Sequence, residues 1–320
     1  MTKNKLAKQF VEMINTYNEH REPWDDQLKR QIAEQNLAII QNPRKVNYRG
    51  AYFSPSSAGS CPRELYLKLR RAKKDNELKP NHQTQWQKLG TAIGDIVQRD
   101  LLFIEKHYAK LTGNQPAFVP ARTAEGYPFW EEFAQAEVPI EHNGEKFKLI
   151  GQPDGKLVHT ETGEFVGLEV KSKQTKNGVS KVSKPDPKHV KQCVIYSIMF
   201  GVDKYIITYV SAVKDNWGES KPVVKAFEVD ITEADRKELL DYFADLVRRA
   251  RENDPPAPDL NGFTFNNFKR AMALDLTDEE VDEIKAKVRQ VMQGGQPAFI
   301  KEGYFEAYQF IKETREEASQ

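Results

Sequence analysis

The stretch LIGQPDGKLVHTETGEFVGLEVKSK, from Leu149 to Lys173, sets two apolar runs on either side of a polar segment, HTETGEF. This pattern predicts a strand hairpin. A hairpin fixes which residues face each other, so it constrains the chain more than any other segment does. It also carries an oddity: Asp154, Glu169 and Lys171 are charged residues set in or beside these strands, where charges are rarely buried without a partner. Residues two apart in a strand share a face, so Glu169 and Lys171 project together while Val170 turns the other way into packing. The partner strand can bring Asp154 beside Glu169.

Two close carboxylates repel, and each raises the other's proton affinity. A divalent cation relieves that repulsion. Magnesium takes hard oxygen ligands, usually one or two carboxylates with substrate phosphate and water. Lys171 would add a positive point charge, able to orient or help deprotonate an attacking water or to stabilise charge building on a phosphate. The same three residues fit equally well a buried ion pair, Asp154 or Glu169 with Lys171, that serves no chemistry. The pieces are common in this chain. Glu-x-Lys occurs at Glu77–Lys79, Glu169–Lys171, Glu219–Lys221 and Glu283–Lys285, and Pro-Asp at Asp154, Asp186 and Asp259. Only Glu169 sits in an apolar strand one hairpin after a Pro-Asp.

Around this hairpin the first 42 residues read as helical, with Phe10, Ile14 and Tyr17 at helix spacing and Pro23 opening a second helix through Ile40. SPSSAGSCPRELYLKLRRAKK reads as a loop and a short basic helix, with Ser60 as N-cap and Pro62 in the first turn. A longer helix is expected from Trp86 to Tyr108, with Gly90 and Gly94 permitting close packing. After the hairpin come a lysine-rich loop, a helix from about Pro187 to Phe200, and strands in DKYIITYVSAV and KPVVKAFEVD. TEADRKELLDYFADLVRRARE is a capped amphipathic helix, NDPPAPDLNG a linker, and the chain past Thr277 mostly two helices. The plan predicts an α/β fold. Its expected parts are an N-terminal helical region over 1–45, a core over 46–254, and a linker with a C-terminal helical region over 255–320.

The 320 residues are 39% apolar and 30% charged, with a net charge of +1, so any affinity for nucleic acid must come from a local basic patch. Two cysteines, Cys61 and Cys193, make no disulfide framework and suit a reducing compartment. The N-terminus lacks the continuous apolar region of a signal peptide, and no run approaches the roughly 18 apolar residues of a membrane span. The chain therefore reads as soluble and cytoplasmic, in the host cytoplasm if viral, with no membrane partner. No Gly-rich phosphate loop with a following Lys suggests ATP use, and no Cys-x-x-Cys or His-x-x-x-His pair suggests zinc.

Pro153-Asp154, then Glu169-Val170-Lys171, then HVKQCVIYSIMFG resembles the PD-(D/E)XK nuclease superfamily. The Gln192–Tyr196 pair resembles the Q-x-x-x-Y motif of its RecB-like exonuclease branch. These two share one helix face and could hydrogen-bond a phosphate or its bound water; alone they would be ordinary helix residues. AEVPIEHNGEKFKLIGQPDGKL is similar to the strand pair ahead of the family's catalytic Asp, with Glu137 at a position often acidic, though an exposed strand-end charge also fits Glu137. LGTAIGDIVQRDLL resembles a helical motif in which a histidine stands four after the first glycine. Here Gly94 stands there, and Asp95 lies about 100° round the helix. SPSSAGSCPRELY resembles a segment of CRISPR-adaptation nucleases whose cysteine begins an iron–sulfur site. A cubane cluster generally needs four thiolates, so no iron–sulfur cluster is expected. The resemblance covers about residues 52–230.

The resemblance implies a restriction-endonuclease-like mixed central sheet flanked by helices, with N- and C-terminal helical additions. It implies a metal-dependent DNA nuclease, an exonuclease rather than a site-specific endonuclease, acting in recombination, repair or phage DNA processing. Asp154 and Glu169 would hold Mg²⁺ or Mn²⁺, with the Val170 carbonyl as a third protein ligand. Lys171 would position the water, and Gln192 and Tyr196 would hold the phosphate or the strand end. DNA is the implied partner, with a recombination or single-strand-binding protein as a further one. A catalytically silent DNA-binding or partner-binding module on the same fold is the alternative, favoured by the missing histidine.

Two basic stretches are candidate phosphate surfaces. Seven lysines, among them Lys173 and Lys176, fall from Lys171 to Lys191 inclusive, against one acidic residue, Asp186. They would draw in a phosphate backbone without reading sequence, although a solvated loop also fits such a run. RELYLKLRRAKK supplies the second, led by Arg63. Its Tyr66 could stack on a base or pack into the core.

Overall fold

The structure, a computed structural model, describes residues 4–76, 81–175, 177–213, 223–263 and 266–320. The described elements run α1 (Lys5–Asn18), α2 (Asp26–Gln41), β1 (Tyr52–Phe53), α3 (Pro62–Leu69), α4 (Asn81–Thr112) and β2 (Phe118–Pro120). Then follow β3 (Ala136–His142), β4 (Glu145–Gly151), β5 (Gly155–His159), β6 (Phe165–Lys173), α5 (Pro187–Phe200), β7 (Lys204–Ser211) and β8 (Val224–Asp230). The chain closes with α6 (Glu233–Glu252), α7 (Lys269–Asp275), α8 (Asp278–Gln293) and α9 (Ala298–Ala318). This is the mixed α/β architecture expected, consistent with a restriction-endonuclease-like fold.

The chain divides into two compact units, one of residues 1–48, 79–138 and 149–239, the other of 49–78, 139–148 and 240–320. Each is assembled from three separated stretches, so neither coincides with a single run of sequence.

The first unit holds a five-stranded sheet in the order β2-β5-β6-β7-β8. β5 and β6 are the expected antiparallel hairpin, with Gly155 opposite Leu168 and Leu157 opposite Val166. β6 and β7 are parallel, Glu169 opposite Ile207 and Lys171 opposite Tyr209. A parallel pair needs a crossover, and α5 supplies it. Its start is marked by Asp186, whose side chain accepts the Lys188 N–H, and by Pro187 in the first turn.

The alternation of β6 divides its two faces. Val166, Leu168 and Val170 pack into a cluster with Phe10 of α1, Leu101 and Ile104 of α4, and Leu157 of β5. The opposite face carries Gly167, Glu169 and Lys171. Gly167 makes room for the ring of Tyr205: an added Cβ would lie 2.1 Å from it. α4 crosses the end of β6, where a Cβ on Gly90 would just touch the Ser172 hydroxyl at 3.4 Å, whereas one on Gly94 would meet nothing. The close packing expected of both glycines is therefore seen only at Gly90.

The second unit includes the tip of the β3–β4 hairpin, turned by Asn143 and Gly144, both at positive φ as a two-residue turn of this hand requires. The rings of Phe53 and Phe243 stack at 4.0 Å, and Phe147 packs edge-on to Phe53. A separate apolar cluster joins Tyr66 and Leu67 of α3 to Met272 of α7, Ile284 of α8 and Ile311 of α9. Tyr66 is thus a core residue. Cys61, not Ser60, occupies the N-cap of α3, and its sulfur accepts the Asp259 N–H. Among the described residues no helix is long and apolar enough to cross a membrane.

Candidate active site

Asp154 stands immediately before β5. Extending the β5–β6 register by one place sets it opposite Glu169. The Val170 N–H donates to Asp154 Oδ2 at 2.7 Å, which fixes the carboxylate beside the strand. Glu169 is 1% exposed. The Lys171 ammonium lies against its Oε1 as an ion pair, on the shared face that strand alternation demands. With Oε1 taken by that ammonium, the buried Oε2 of Glu169 has no hydrogen-bond partner among the described residues. A carboxylate oriented into a site and left this unsatisfied is expensive unless something else supplies the missing partner.

The titration behaviour follows from the burial. Glu169 is pushed up to about 8, by desolvation first and then by the charge of Asp154, with Lys171 opposing. Desolvation raises Asp154 as well, against the pull of Lys171 and the Val170 N–H. Burial works to lower Lys171, but Glu169 and Asp154 outweigh it and raise the ammonium above the usual lysine range. Lys171 is therefore a cation at neutral pH.

A third carboxylate, Glu131, was not singled out in the sequence. It opens the 3-10 turn 131–134 at φ 44°, a left-handed conformation that costs a non-glycine residue about 1 kcal/mol or more. Three bonds hold it there. Its N–H donates to the Pro153 carbonyl at 2.8 Å, and its oxygens accept from Gln98 Nε2 at 3.3 Å and Gln152 Nε2 at 2.8 Å. Burial and then the charge of Asp154 raise Glu131 to about 7. Gln98 also donates to the Asp154 carbonyl at 2.9 Å. The segment Gln152–Pro153–Asp154 is thus clamped by α4, by the 131–134 turn and by β6. Nothing in a run such as WEEFAQAE marks Glu131 as inward-facing; only the unusual turn puts it there.

The other expected site residues fall out differently. Tyr196 is 6% exposed, and its hydroxyl donates to the Gln152 carbonyl at 2.8 Å. This corrects the expectation that it holds a phosphate: its one proton is already committed to positioning the segment that carries Asp154. Gln192, one turn earlier, is half-buried with no hydrogen-bond partner among the described residues. Lys173 is half-buried, its ammonium 5.0 Å from the centre of the Tyr209 ring. Lys176 lies outside the described residues, as do Glu77 and Lys79. Lys181, Lys184, Lys188 and Lys191 are exposed, and the loop that carries the first two is anchored by buried Val179.

Arg63 is a plain correction. It is 0% exposed, with Nε donating to Asp275 Oδ2 at 2.7 Å, Nη1 to Glu280 Oε1 at 3.0 Å and to the Pro256 carbonyl at 2.9 Å. Its Nη2 donates to the Asp275 carbonyl and to Glu280 Oε2. A guanidinium so enclosed ties α3 to α7 and α8 and has no donor left for nucleic acid. Glu137 accepts the Asn47 N–H, and Asp95 is exposed. Cys193 is buried in α5.

The donor set fits a hard divalent cation. Asp154 and Glu169 offer carboxylate oxygens on one face, with Glu169 Oε2 short of a partner among the described residues. Among the described residues no group of three or more His, Cys, Asp or Glu side chains forms a full cage. Two carboxylates, with backbone, water and substrate completing the shell, is the usual way magnesium is bound.

No protein-family model and no curated protein matches the chain. Among solved structures, a protein designated SSO0001 matches at 14% identity, over 78% of this chain and 96% of that one, with a TM-score of 0.41. An alkaline exonuclease from Laribacter hongkongensis, LHK-Exo, matches at 14% identity, over 63% of this chain and 89% of that one, with a TM-score of 0.38. The same exonuclease in complex with dAMP matches at 13% identity, over 63% and 88%, with a TM-score of 0.35. Likeness at this level says nothing of activity, which the side chains must carry.

Proposed function

We propose that the chain is a metal-dependent nuclease that hydrolyses DNA phosphodiester bonds, working from strand ends. One observation supports this most: buried Glu169 opposes Asp154 across the hairpin, its Oε1 paired with the Lys171 ammonium and its Oε2 without a hydrogen-bond donor among the described residues. Asp154 and Glu169 would hold Mg²⁺ or Mn²⁺, with the Val170 carbonyl as a further ligand. Bound there, the ion would polarise a phosphoryl oxygen and make a coordinated water more acidic.

The protein's own groups divide the remaining work. Lys171, protonated at neutral pH, serves as a fixed positive charge and donor that orients the attacking water or steadies charge on the phosphate; a raised pKa makes it a poor base. The Val170 N–H holds Asp154 Oδ2, leaving Oδ1 for the ion. Gln98, Glu131, Gln152 and Tyr196 keep the Asp154 backbone in place. The exposed lysines of 181–191 draw in a strand through its phosphates, without sequence readout. The alternative, a catalytically silent binding module, is favoured by the Lys171–Glu169 ion pair, which already offsets one carboxylate without a metal.

The experiment uses end-labelled linear DNA with Mg²⁺ or Mn²⁺, beside Asp154→Ala and Lys171→Ala. Metal-dependent cleavage by the wild type, lost in both variants, is the expected result; binding without cleavage in either metal favours the silent module. Closed circular DNA should resist cutting if cleavage starts at ends.

A further inference from the structure

His189 lies in the first turn of α5 and is half-buried. Its Nδ1 is 2.9 Å from the hydroxyl of Tyr209. Tyr209 is directly opposite Lys171 in the β6–β7 pair, on the sheet face that carries Glu169. The hydrogen bonds around that hydroxyl determine where the imidazole proton sits. The Asp186 N–H donates to the Tyr209 oxygen at 2.9 Å, so the phenol already accepts there. Tyr209 is 0% exposed, and burial raises its pKa, so it keeps its own proton at neutral pH. Among the described residues the hydroxyl has one other hydrogen-bond partner, His189 Nδ1, which accepts that proton. Were Nδ1 the donor instead, the phenol proton would be buried without a partner, a cost of about 1–3 kcal/mol. The imidazole is therefore neutral, with its hydrogen on Nε2.

The surrounding charges favour the same state. Burial, and then Lys171, lower His189 to about 4; Lys173 and Lys188 act in the same direction and Asp186 against them. The Nε2–H makes no hydrogen bond within the described residues. Gln192 follows at i+3 on the same helix face, also without a partner. Two neutral donors, flanked by Lys171 and Lys173 and served by no acceptor among the described residues, suit an anion with several oxygens.

We propose that His189 is a further substrate-contacting residue: its Nε2–H, with the Gln192 side chain one turn along, donates to a phosphate oxygen of a nucleic-acid strand lying beside Lys171. The choice of ligand rests on the nuclease reading. The state of the imidazole does not, and the two are tested apart.

The full chain is labelled with ¹⁵N-histidine and kept in EDTA at pH 7. Long-range ¹H–¹⁵N spectra are recorded with and without a short oligothymidylate, and His189→Gln assigns the signal. A neutral Nε2–H tautomer, shifted by the oligonucleotide, is expected. Binding should weaken about 10-fold or more in His189→Ala and recover in His189→Gln, whose amide N–H can take the place of Nε2–H. An Nδ1–H tautomer, an imidazolium, an unshifted signal at saturation, or a His189→Gln as weak as His189→Ala overturns the inference. A shifted signal in a protein that cuts no DNA with Mg²⁺ or Mn²⁺ leaves the contact standing and removes the hydrolysis. An oligonucleotide that does not bind overturns both.

Discussion

Glu169→Gln in the metal-free protein should flatten the loss of stability at alkaline pH. The folded-state value of Glu169 is about 8, against 4.5 for an ordinary glutamate. A carboxyl group whose pKa rises on folding binds its proton more tightly in the native state. Its contribution is intact below pH 4.5, where both states are protonated. It falls as the pH rises towards 8, where the unfolded chain has lost the proton and the native one must give it up. The full span corresponds to about 5 kcal/mol, and the part between pH 5.5 and pH 8 to about 3 kcal/mol. Glutamine keeps the shape and does not titrate. Urea unfolding in EDTA, followed by circular dichroism at the two pH values, reads the difference directly. The wild type should lose about 3 kcal/mol more than Glu169→Gln between pH 5.5 and 8, since groups away from Asp154 and Lys171 titrate alike in both proteins. Parallel losses would refute the picture of a desolvated, under-satisfied carboxylate, and with it the main physical reason for a cation there.

Arg63→Met should destabilise the protein by about 3 kcal/mol or more, because it leaves Asp275 and Glu280 without the buried charge they enclose; unfolding by urea checks it, and an unchanged midpoint counts against a structural role. Gly167→Ala should cost about 1–3 kcal/mol, since the new methyl meets the Tyr205 ring; the same assay applies, and wild-type stability would contradict the packing at β6. Tyr196→Phe should cost about 1–2 kcal/mol by leaving the Gln152 carbonyl unpaired, and should slow cleavage at saturating DNA. A rise in KM alone, with stability unchanged, would return Tyr196 to phosphate binding.

Much of the sheet was legible because strand alternation is a short-range rule. The hairpin length placed Asp154 opposite Glu169, and period two put Lys171 beside it and Val170 in the core. The helix read from about Pro187 to Phe200 is α5. What escaped depended on contacts distant in sequence. Glu131 turns inward through a left-handed backbone position that glutamate shares with no recognisable turn motif. Arg63 opens a basic run, and sequence alone does not tell a guanidinium aimed at solvent from one aimed at Asp275 and Glu280. Tyr196 was assigned to substrate through its resemblance to the Q-x-x-x-Y motif; the Gln152 carbonyl, 44 residues away, claims its proton instead. The two units, each of three separated stretches, likewise arise from long-range packing, which boundaries read near residues 45 and 254 do not report.

The central claim is that Asp154 and Glu169 share one divalent cation. Electron paramagnetic resonance of Mn²⁺ titrated into the wild type, Asp154→Asn and Glu169→Gln at pH 7.5 tests it without any DNA. Binding by the wild type that weakens about 10-fold or more in each single variant is the predicted result. Wild-type affinity in either variant would contradict the shared site.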